Sequence, residues 1–345
     1  MSSPTPFSSL DLQAALLSNL ADIGYAEMTL VQAETLPHLL GGADVLARAK
    51  TGSGKTAAFG LGLLHRLDAS RFRSQALVLC PTRELADQVS KEIRRLARTI
   101  GNVKILTLCG GVPLGPQLAS LQHSPHVIVG TPGRVLKHLR QGTVALGELK
   151  TLVFDEADRM LDMGFADELN AILEFLPRDR QTLLFSATYP DSIAAISKRV
   201  QRDPVIVDVT DDEQPAHIEQ RWCSVTRENR NPELVRALRA WGGALNLVFC
   251  NTKVDCAEVA DYLNSEKIVA VALHGDLDQG ERNEVLVRFA NRSAVVLVAT
   301  DVAARGLDVK DLDAVFNYEL PRQPEVYIHR IGRTGRAGKQ GVAVS

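Results

Sequence analysis

The sequence has no long uncharged apolar run of spanning length, which argues against a membrane helix. Its N-terminus, "MSSPTPFSSLDLQ", is polar and lacks the basic head and apolar stretch of a secretory signal. The chain is therefore expected to be soluble and cytoplasmic. There is no C-x-x-C pair, and the five cysteines (Cys80, Cys109, Cys223, Cys250, Cys256) are an odd number, which speaks against a disulfide framework. Three of them close apolar runs ("LVLC", "LTLC", "LVFC"), where a free thiol packs as a small hydrophobe. A surplus of positive charge is missing too. Lys and Arg number 39 against 41 Asp and Glu, a net charge of −2, so extensive non-specific nucleic-acid binding is disfavoured and only a local groove is left room.

What is present is an ordinary globular composition, 45% hydrophobic and 23% charged, in 345 residues, enough for two domains. Short apolar runs alternate with amphipathic stretches. "QALVLC", "VKILTLC", "HVIVG", "KTLVFD" and "QTLLFS" read as strands buried on both faces of a parallel sheet. Between them lie helical stretches such as "TRELADQVSKEIRRLARTI", with Leu85, Val89, Ile93 and Leu96 on one face, and Thr131–Pro132 reads as a helix start. The acidic "DDEQPAH" breaks the rhythm, which restarts with "LNLVFC", "IVAVALH", "AVVLVAT" and "AVFNYE". The expected fold is α/β, two domains each built on a mostly parallel sheet covered by helices. The expected boundaries are 1–207 and 218–345, with a linker at 208–217.

The stretch "ARAKTGSGKTAAFG" nearly spells G-x-x-x-x-G-K-[ST], but Ala49 stands in the first glycine slot. A strand-like "ADVLARA" precedes it and an amphipathic "KTAAFGLGLLHRL" follows, the context a phosphate loop needs. A helix N-terminus there favours phosphate; Lys55 would reach the β- and γ-phosphates and Thr56 would take Mg²⁺. "LVFDEAD" supplies the acids: Asp155, at a strand end, for the metal and Glu156 to orient and deprotonate water. The arginines of "HRIGRTGRAG", Arg330, Arg333 and Arg336, recur every third residue among glycines, a pattern suited to phosphate and to an arginine finger supplied by the second domain.

"AKTGSGKT" (49–56), "PTRELA" (81–86), "TPGR" (131–134), "DEAD" (155–158), "SAT" (186–188), "TDVAARGLD" (300–308) and "HRIGRTGR" (329–336) together resemble a DEAD-box ATP-dependent RNA helicase, most closely the bacterial DbpA-type subgroup. The resemblance covers nearly the whole chain. It implies two RecA-like domains, and it implies that Ala49 is the family's habit in a real nucleotide loop.

On the same resemblance ATP is held by Ala49, Lys50, Thr51, Gly52, Ser53, Gly54, Lys55 and Thr56. Gln32 of "GYAEMTLVQ" reads adenine, with Tyr25 and the upstream aromatic Phe7 beside it and Asp308 reaching the nucleotide from the second domain. Thr56 and Asp155 hold Mg²⁺, and Lys55, Thr56, Asp155, Glu156, Arg333 and Arg336 carry catalysis. Asp158, Ser186 and Thr188 couple hydrolysis to RNA. RNA is implied at Thr82, Arg83, Gly111, Thr131, Gly133 and Arg134, then at Asn251, Thr252, Arg282 and Thr300. These contacts suit phosphate and 2′-OH without base reading. The stretch departs from the commoner P-T-P-I-Q, with Met28 and Leu30 in the proline positions.

"KEIRRLAR" reads as a solvated helix face, and Trp222 and Trp241 as core or linker packing. The chain is expected to work as a monomer without a membrane partner. The family's closing helix, and the C-terminal RNA-recognition domain that directs the DbpA type to large-subunit ribosomal RNA, are not within these 345 residues, so RNA specificity is expected elsewhere. An ATP-gated RNA clamp with little strand separation shares every motif; a DNA translocase fits the Q motif and D-E-A-D poorly.

Overall fold

In this computed structural model the structure describes residues 5–49, 52–209, 218–304, 312–335 and 340–345. The chain divides into two compact units, Met1–Glu213 and Gln214–Ser345.

Among the described residues of the first unit, seven strands form one sheet: β1 (Val45–Arg48), β2 (Ala76–Leu79), β3 (Ile105–Leu108), β4 (Val127–Gly130), β5 (Thr151–Phe154), β6 (Gln181–Ser186) and β7 (Val205–Asp208). Their spatial order is β3-β4-β2-β5-β6-β1-β7, and every pairing is parallel. The apolar runs form strands because both faces are covered. Val45, Ala47, Val78, Val153, Leu183 and Phe185 enter one core, with Phe59, Val89 and Ile93 from helices Lys55–His65 and Arg83–Leu96. Alternate residues Leu46, Leu77, Leu152, Phe154 and Leu184 enter a second core, with Val135, Leu139, Leu169 and Ile193 from helices Pro132–Arg140, Ala166–Leu173 and Asp191–Val200. The two-residue period of a strand makes this division automatic, and each fully buried aliphatic side chain contributes roughly 1.5–3 kcal/mol.

The second unit repeats the plan with β8 (Ile218–Arg221), β9 (Asn246–Cys250), β10 (Ala270–Leu273), β11 (Val296–Thr300), β12 (Ala314–Asn317) and β13 (Gly341–Val344), in the order β10-β11-β9-β12-β13-β8, again all parallel. Its cohesion at the strand ends rests on Arg330, of which 1% is exposed. The guanidinium makes a forked pair with Asp301, Nε to Oδ1 and Nη2 to Oδ2, each 2.7 Å. It also donates to Asn251 Oδ1 (2.9 Å), Asn317 Oδ1 (3.1 Å) and the Glu319 carbonyl (2.7 Å), and lies 5.0 Å from the Phe249 ring centroid. A buried guanidinium is tolerated only when saturated in this way.

Two expectations need correction. Asp208 is the last residue of β7, not the start of a linker, because it pairs with Arg48 of the adjacent β1 at 2.9 Å. The rest of the expected linker, Val209 apart, lies outside the described residues. Trp222 is 81% exposed rather than packed: Cys223 turns onto the core, and strand alternation turns its neighbour outward. Trp241 does pack, partly buried beneath Arg221 at 5.1 Å. Thr131 occupies the helix-start position before Pro132, but its hydroxyl makes no capping bond. The stretch "KEIRRLAR" is a solvated face, with Lys91, Arg94 and Arg95 exposed.

Arg330→Met is expected to leave Asp301 and Asn317 without their cation. Asp301 keeps a quarter of its side chain in water, so the loss falls toward the lower end of the about 3–5 kcal/mol of a broken buried pair. Denaturant unfolding should show an earlier transition for the second unit; an unchanged curve would remove Arg330 from this role.

Candidate active site and nucleic-acid interface

Parallel pairing brings β5, β6 and β1 side by side, so the DEAD, SAT and phosphate-loop segments leave the sheet at the same edge. The loop follows β1. Ala49 is buried, donates its N–H to the Ser186 carbonyl (3.0 Å), and is not among the residues with positive φ. Gly52 and Gly54 are, at φ 90° and 97°. The missing first glycine therefore costs nothing, because the left-handed turns lie elsewhere. Lys50 and Thr51 lie outside the described residues. Lys55, buried at the start of its helix, places Nζ 2.9 Å from the Ala49 carbonyl, curling back over the loop it is expected to serve. Thr56 follows in the first turn and Ser53 precedes Gly54.

Gln32 is buried and works inside the protein. Its Oε1 accepts the Thr29 N–H (2.9 Å), forming a capping box at helix Leu30–Leu40, and its Nε2 donates to the Gly54 carbonyl (3.1 Å). The second Nε2 hydrogen and second Oε1 lone pair are what it retains for a base. Phe7 is buried in the first core with its ring edge against Tyr25, centroids 5.9 Å apart. The Tyr25 hydroxyl donates to Glu92 (2.8 Å), and burial and that carboxylate push its pKa up to about 12. This pair props the Q-motif loop.

Asp155 is buried at the end of β5, its N–H on the Leu79 carbonyl (3.0 Å). Burial pushes its carboxyl up to about 7, against the pull of the Lys55 charge and with the push of Glu156. A bound cation would hold it ionised. Glu156 sits in the left-handed region at φ 54°, unusual for a residue with a side chain. Its Oε2 accepts from Arg159 at 2.8 Å, both side chains nearly buried. Sequence reading passed over Arg159, although its i,i+3 spacing from Glu156 was visible. Asp158 Oδ2 accepts three donors from the SAT segment: Ala187 N (3.2 Å), Thr188 N (3.0 Å) and Thr188 Oγ1 (2.9 Å). Ser186 takes part through its backbone carbonyl, while its buried hydroxyl has no partner.

The residues present fit Mg·ATP. A cradle of glycines would receive the phosphates, Lys55 lies over it, and a Cβ on Gly54 would lie 2.6 Å from Gln32 Nε2. Among the described residues no group of three or more His, Cys, Asp or Glu side chains is placed to hold a metal. Mg²⁺ needs only one or two protein oxygens, which Thr56 and Asp155 would supply, the rest of its shell being phosphates and water.

The expected RNA residues divide in two. Thr82 caps helix Arg83–Leu96, its Oγ1 accepting Leu85 N at 3.3 Å; Arg83 keeps a buried Nη1 without a partner, Gly111 turns at φ 74°, and Gly133 opens helix Pro132–Arg140. Arg134 instead turns inward, donating to Gln117 Oε1 (2.8 Å) and the Val112 carbonyl (2.9 Å). In the second unit Asn251 holds Arg330 and the Leu320 carbonyl (3.3 Å). Thr252 caps helix Lys253–Ser265 through Asp255, Thr300 caps the short helix Asp301–Ala304 by accepting Ala303 N (3.3 Å), and Arg282 Nη2 reaches the Ala303 carbonyl at 3.3 Å. Arg333 is largely buried; Asp308 and Arg336 lie outside the described residues.

The fold and the site define a phosphate-loop nucleotide hydrolase with two parallel-sheet units. Residues 29–196 match the DEAD/DEAH box helicase family and 231–338 the helicase conserved C-terminal domain. The chain belongs to the DEAD-box family of ATP-dependent RNA helicases. It is 59% identical over 342 residues to the ATP-dependent RNA helicase DbpA of Escherichia coli (strain K12), covering 99% of this chain and 75% of that protein. Identity to the DEAD-box ATP-dependent RNA helicase CshA of Bacillus cereus is 44% over 341 residues, again 99% of this chain but 65% of CshA, less than two thirds of its length. The fold matches S. cerevisiae Dbp5 bound to RNA and ADP BeF3 with a TM-score of 0.89 at 31% identity, covering 99% of this chain and 89% of that one. No helix among the described residues is long and apolar enough to cross a membrane.

Gly54→Ala forces a side chain into a left-handed position, costing ~1–2 kcal/mol before the clash with Gln32, so nucleotide affinity is expected to fall at least about 10-fold. Ala49→Gly, where no positive φ is required, should stay within about three-fold. Titration with a fluorescent ATP analogue compares the two; similar losses would mean that the loop geometry described here does not govern binding.

Proposed function

We propose that this chain couples RNA-stimulated ATP hydrolysis to local separation of short RNA duplexes. The observation that carries the reading is the Asp158 carboxylate gripping Ala187 and Thr188 directly beside Asp155 and Glu156. A segment implied to report RNA is thereby fastened to the segment that carries the acids. Lys55 and the loop N–H groups hold the phosphates, Asp155 and Thr56 hold Mg²⁺, and Glu156 takes the proton of the attacking water. For that role Glu156 uses acceptor capacity beyond the one bond to Arg159, which orients its carboxylate. Gln32 reads adenine with the hydrogen and lone pair left to it. Arg333 and Arg336 stabilise the transferring phosphoryl group.

The biological substrate proposed is ribosomal RNA in large-subunit assembly, a reading that rests on the DbpA-type resemblance alone. The contacts proposed within these 345 residues go to phosphate and sugar, which carry no sequence information. Ribosomal and length-matched generic RNA should therefore compete for the chain within about three-fold at fixed salt. A large preference would show that these two units read sequence or shape themselves.

Glu156→Gln keeps the shape and removes the base. It is expected to bind Mg·ATP within about two-fold of the parent and to lose at least ~100-fold in RNA-stimulated turnover. Turnover is measured without nucleic acid, with RNA and with DNA, alongside strand displacement of a short RNA duplex. Retained turnover would dismiss Glu156 as the base; equal stimulation by DNA, or hydrolysis without displacement, would replace duplex separation by another use of ATP.

A further inference from the structure

Beyond the phosphate loop, the first unit contains a polar network that joins Arg134 of the TPGR segment to side chains that no motif names. Its centre is Gln117 of helix Leu114–Leu121, which is largely buried. Gln117 Oε1 lies 2.8 Å from Arg134 Nη1 and 2.9 Å from His138 Nε2, while Gln117 Nε2 donates to the Cys109 carbonyl at 3.1 Å. Arg134 Nη2 donates to the Val112 carbonyl at 2.9 Å. His138 is wholly buried, and its Nδ1 lies 2.8 Å from Thr143 Oγ1.

The chemistry admits one arrangement. A guanidinium only donates, so the amide must present its oxygen to Arg134, and its NH₂ then faces the Cys109 carbonyl. An amide oxygen only accepts, so His138 must carry its hydrogen on Nε2. Burial, then the charges of Arg134 and Lys137, lower the His138 pKa and favour the neutral ring. Nδ1 is therefore an acceptor that shares the one Thr143 hydroxyl hydrogen with the His138 carbonyl, 3.1 Å from the same oxygen. Each member fixes the orientation of the next.

What the network encloses is the turn 109–112, held at Cys109 and Val112 on either side of Gly110 and Gly111, with Gly111 at φ 74°. The same side chains tie that turn to the helix opened by Thr131, Pro132 and Gly133. We infer that Gln117 and His138 are positioning residues for RNA: they hold the Gly110–Gly111 turn and the Thr131–Gly133 helix start in the relative placement that grips one strand's backbone. Arg134 serves the same end from inside instead of contacting RNA directly. The inference rests on the proposal that these two segments touch RNA.

The test measures the RNA concentration that half-saturates ATPase activity, using a single-stranded oligoadenylate, together with the KM for ATP and thermal unfolding. Gly133→Asp probes the underlying reading. A side chain there would meet nothing within 4 Å, and an acid suits a helix N-terminus but opposes a phosphate. His138→Phe and Gln117→Leu remove the network's donor and its hub. Each is expected to raise half-saturating RNA roughly 5- to 10-fold, the worth of about one hydrogen bond, with the KM for ATP unchanged. His138→Gln, whose amide can donate where Nε2 does, should restore most of the loss. If His138→Phe does not fold, Thr143→Val supplies the same comparison by freeing the ring. An effect of Gly133→Asp without one of His138→Phe or Gln117→Leu overturns the positioning role alone. No effect of Gly133→Asp overturns the RNA reading of this turn and the inference with it. Parallel losses in RNA and ATP constants that His138→Gln does not rescue would make the network ordinary core.

Discussion

Parallel pairing of β5, β6 and β1 is the constraint on which the nucleotide site depends. Parallel strands end at the same edge, so loops distant in sequence become neighbours there without any long-range design of the loops themselves. The Ala49 N–H on the Ser186 carbonyl extends the β1–β6 ladder into the phosphate loop, and Asp158 joins the end of β5 to the residues after β6. A shift in register between these strands would separate the lysine, the acids and the SAT segment together. The strands themselves are held by apolar burial on both faces, so the chemistry at the edge rests on the two hydrophobic cores beneath it.

Several polar side chains that the motifs suggest as ligand contacts are engaged within the protein. Gln32 spans Thr29 and Gly54, Arg134 holds Gln117 and Val112, and Asn251 holds Arg330. The physical reason is common to them. A polar group at a crowded strand edge is partly removed from water and must find a partner before any ligand arrives. Such residues shape a loop first and meet a ligand, if at all, with whatever donors and lone pairs they have left. Glu156 is the complementary case: a left-handed backbone and an Arg159 partner hold a carboxylate ready in a conformation that the isolated chain disfavours.

Both sheets, their mostly parallel sense and the strands buried on both faces were legible in the sequence, because such runs are apolar throughout and short; the partly exposed edge strands β7 and β8 were not. Legible too were the phosphate loop, the paired acids and the helix start at Thr131–Pro132, whose signals are local and of fixed spacing. Trp222 was misjudged because a strand-end residue faces in or out according to a ladder, here β8 on β13, that only the fold defines. The packing of Phe7 against Tyr25, and of the Tyr25 hydroxyl on Glu92, was likewise beyond what the motif shows.

The sequence by itself determined the class of fold, the chemistry of the loop and the acids, and the separation into two units. Those depend on periodicity and on residues adjacent along the chain. Only the tertiary structure decided that Ala49 needs no glycine, that Arg330 is the buried hub of its unit, and that Gln117, Arg134, His138 and Thr143 form one network. Their partners come from elements separated in sequence, and a polar side chain's role is set by which acceptor burial leaves within reach. That is a property of the packed fold, and no local pattern encodes it.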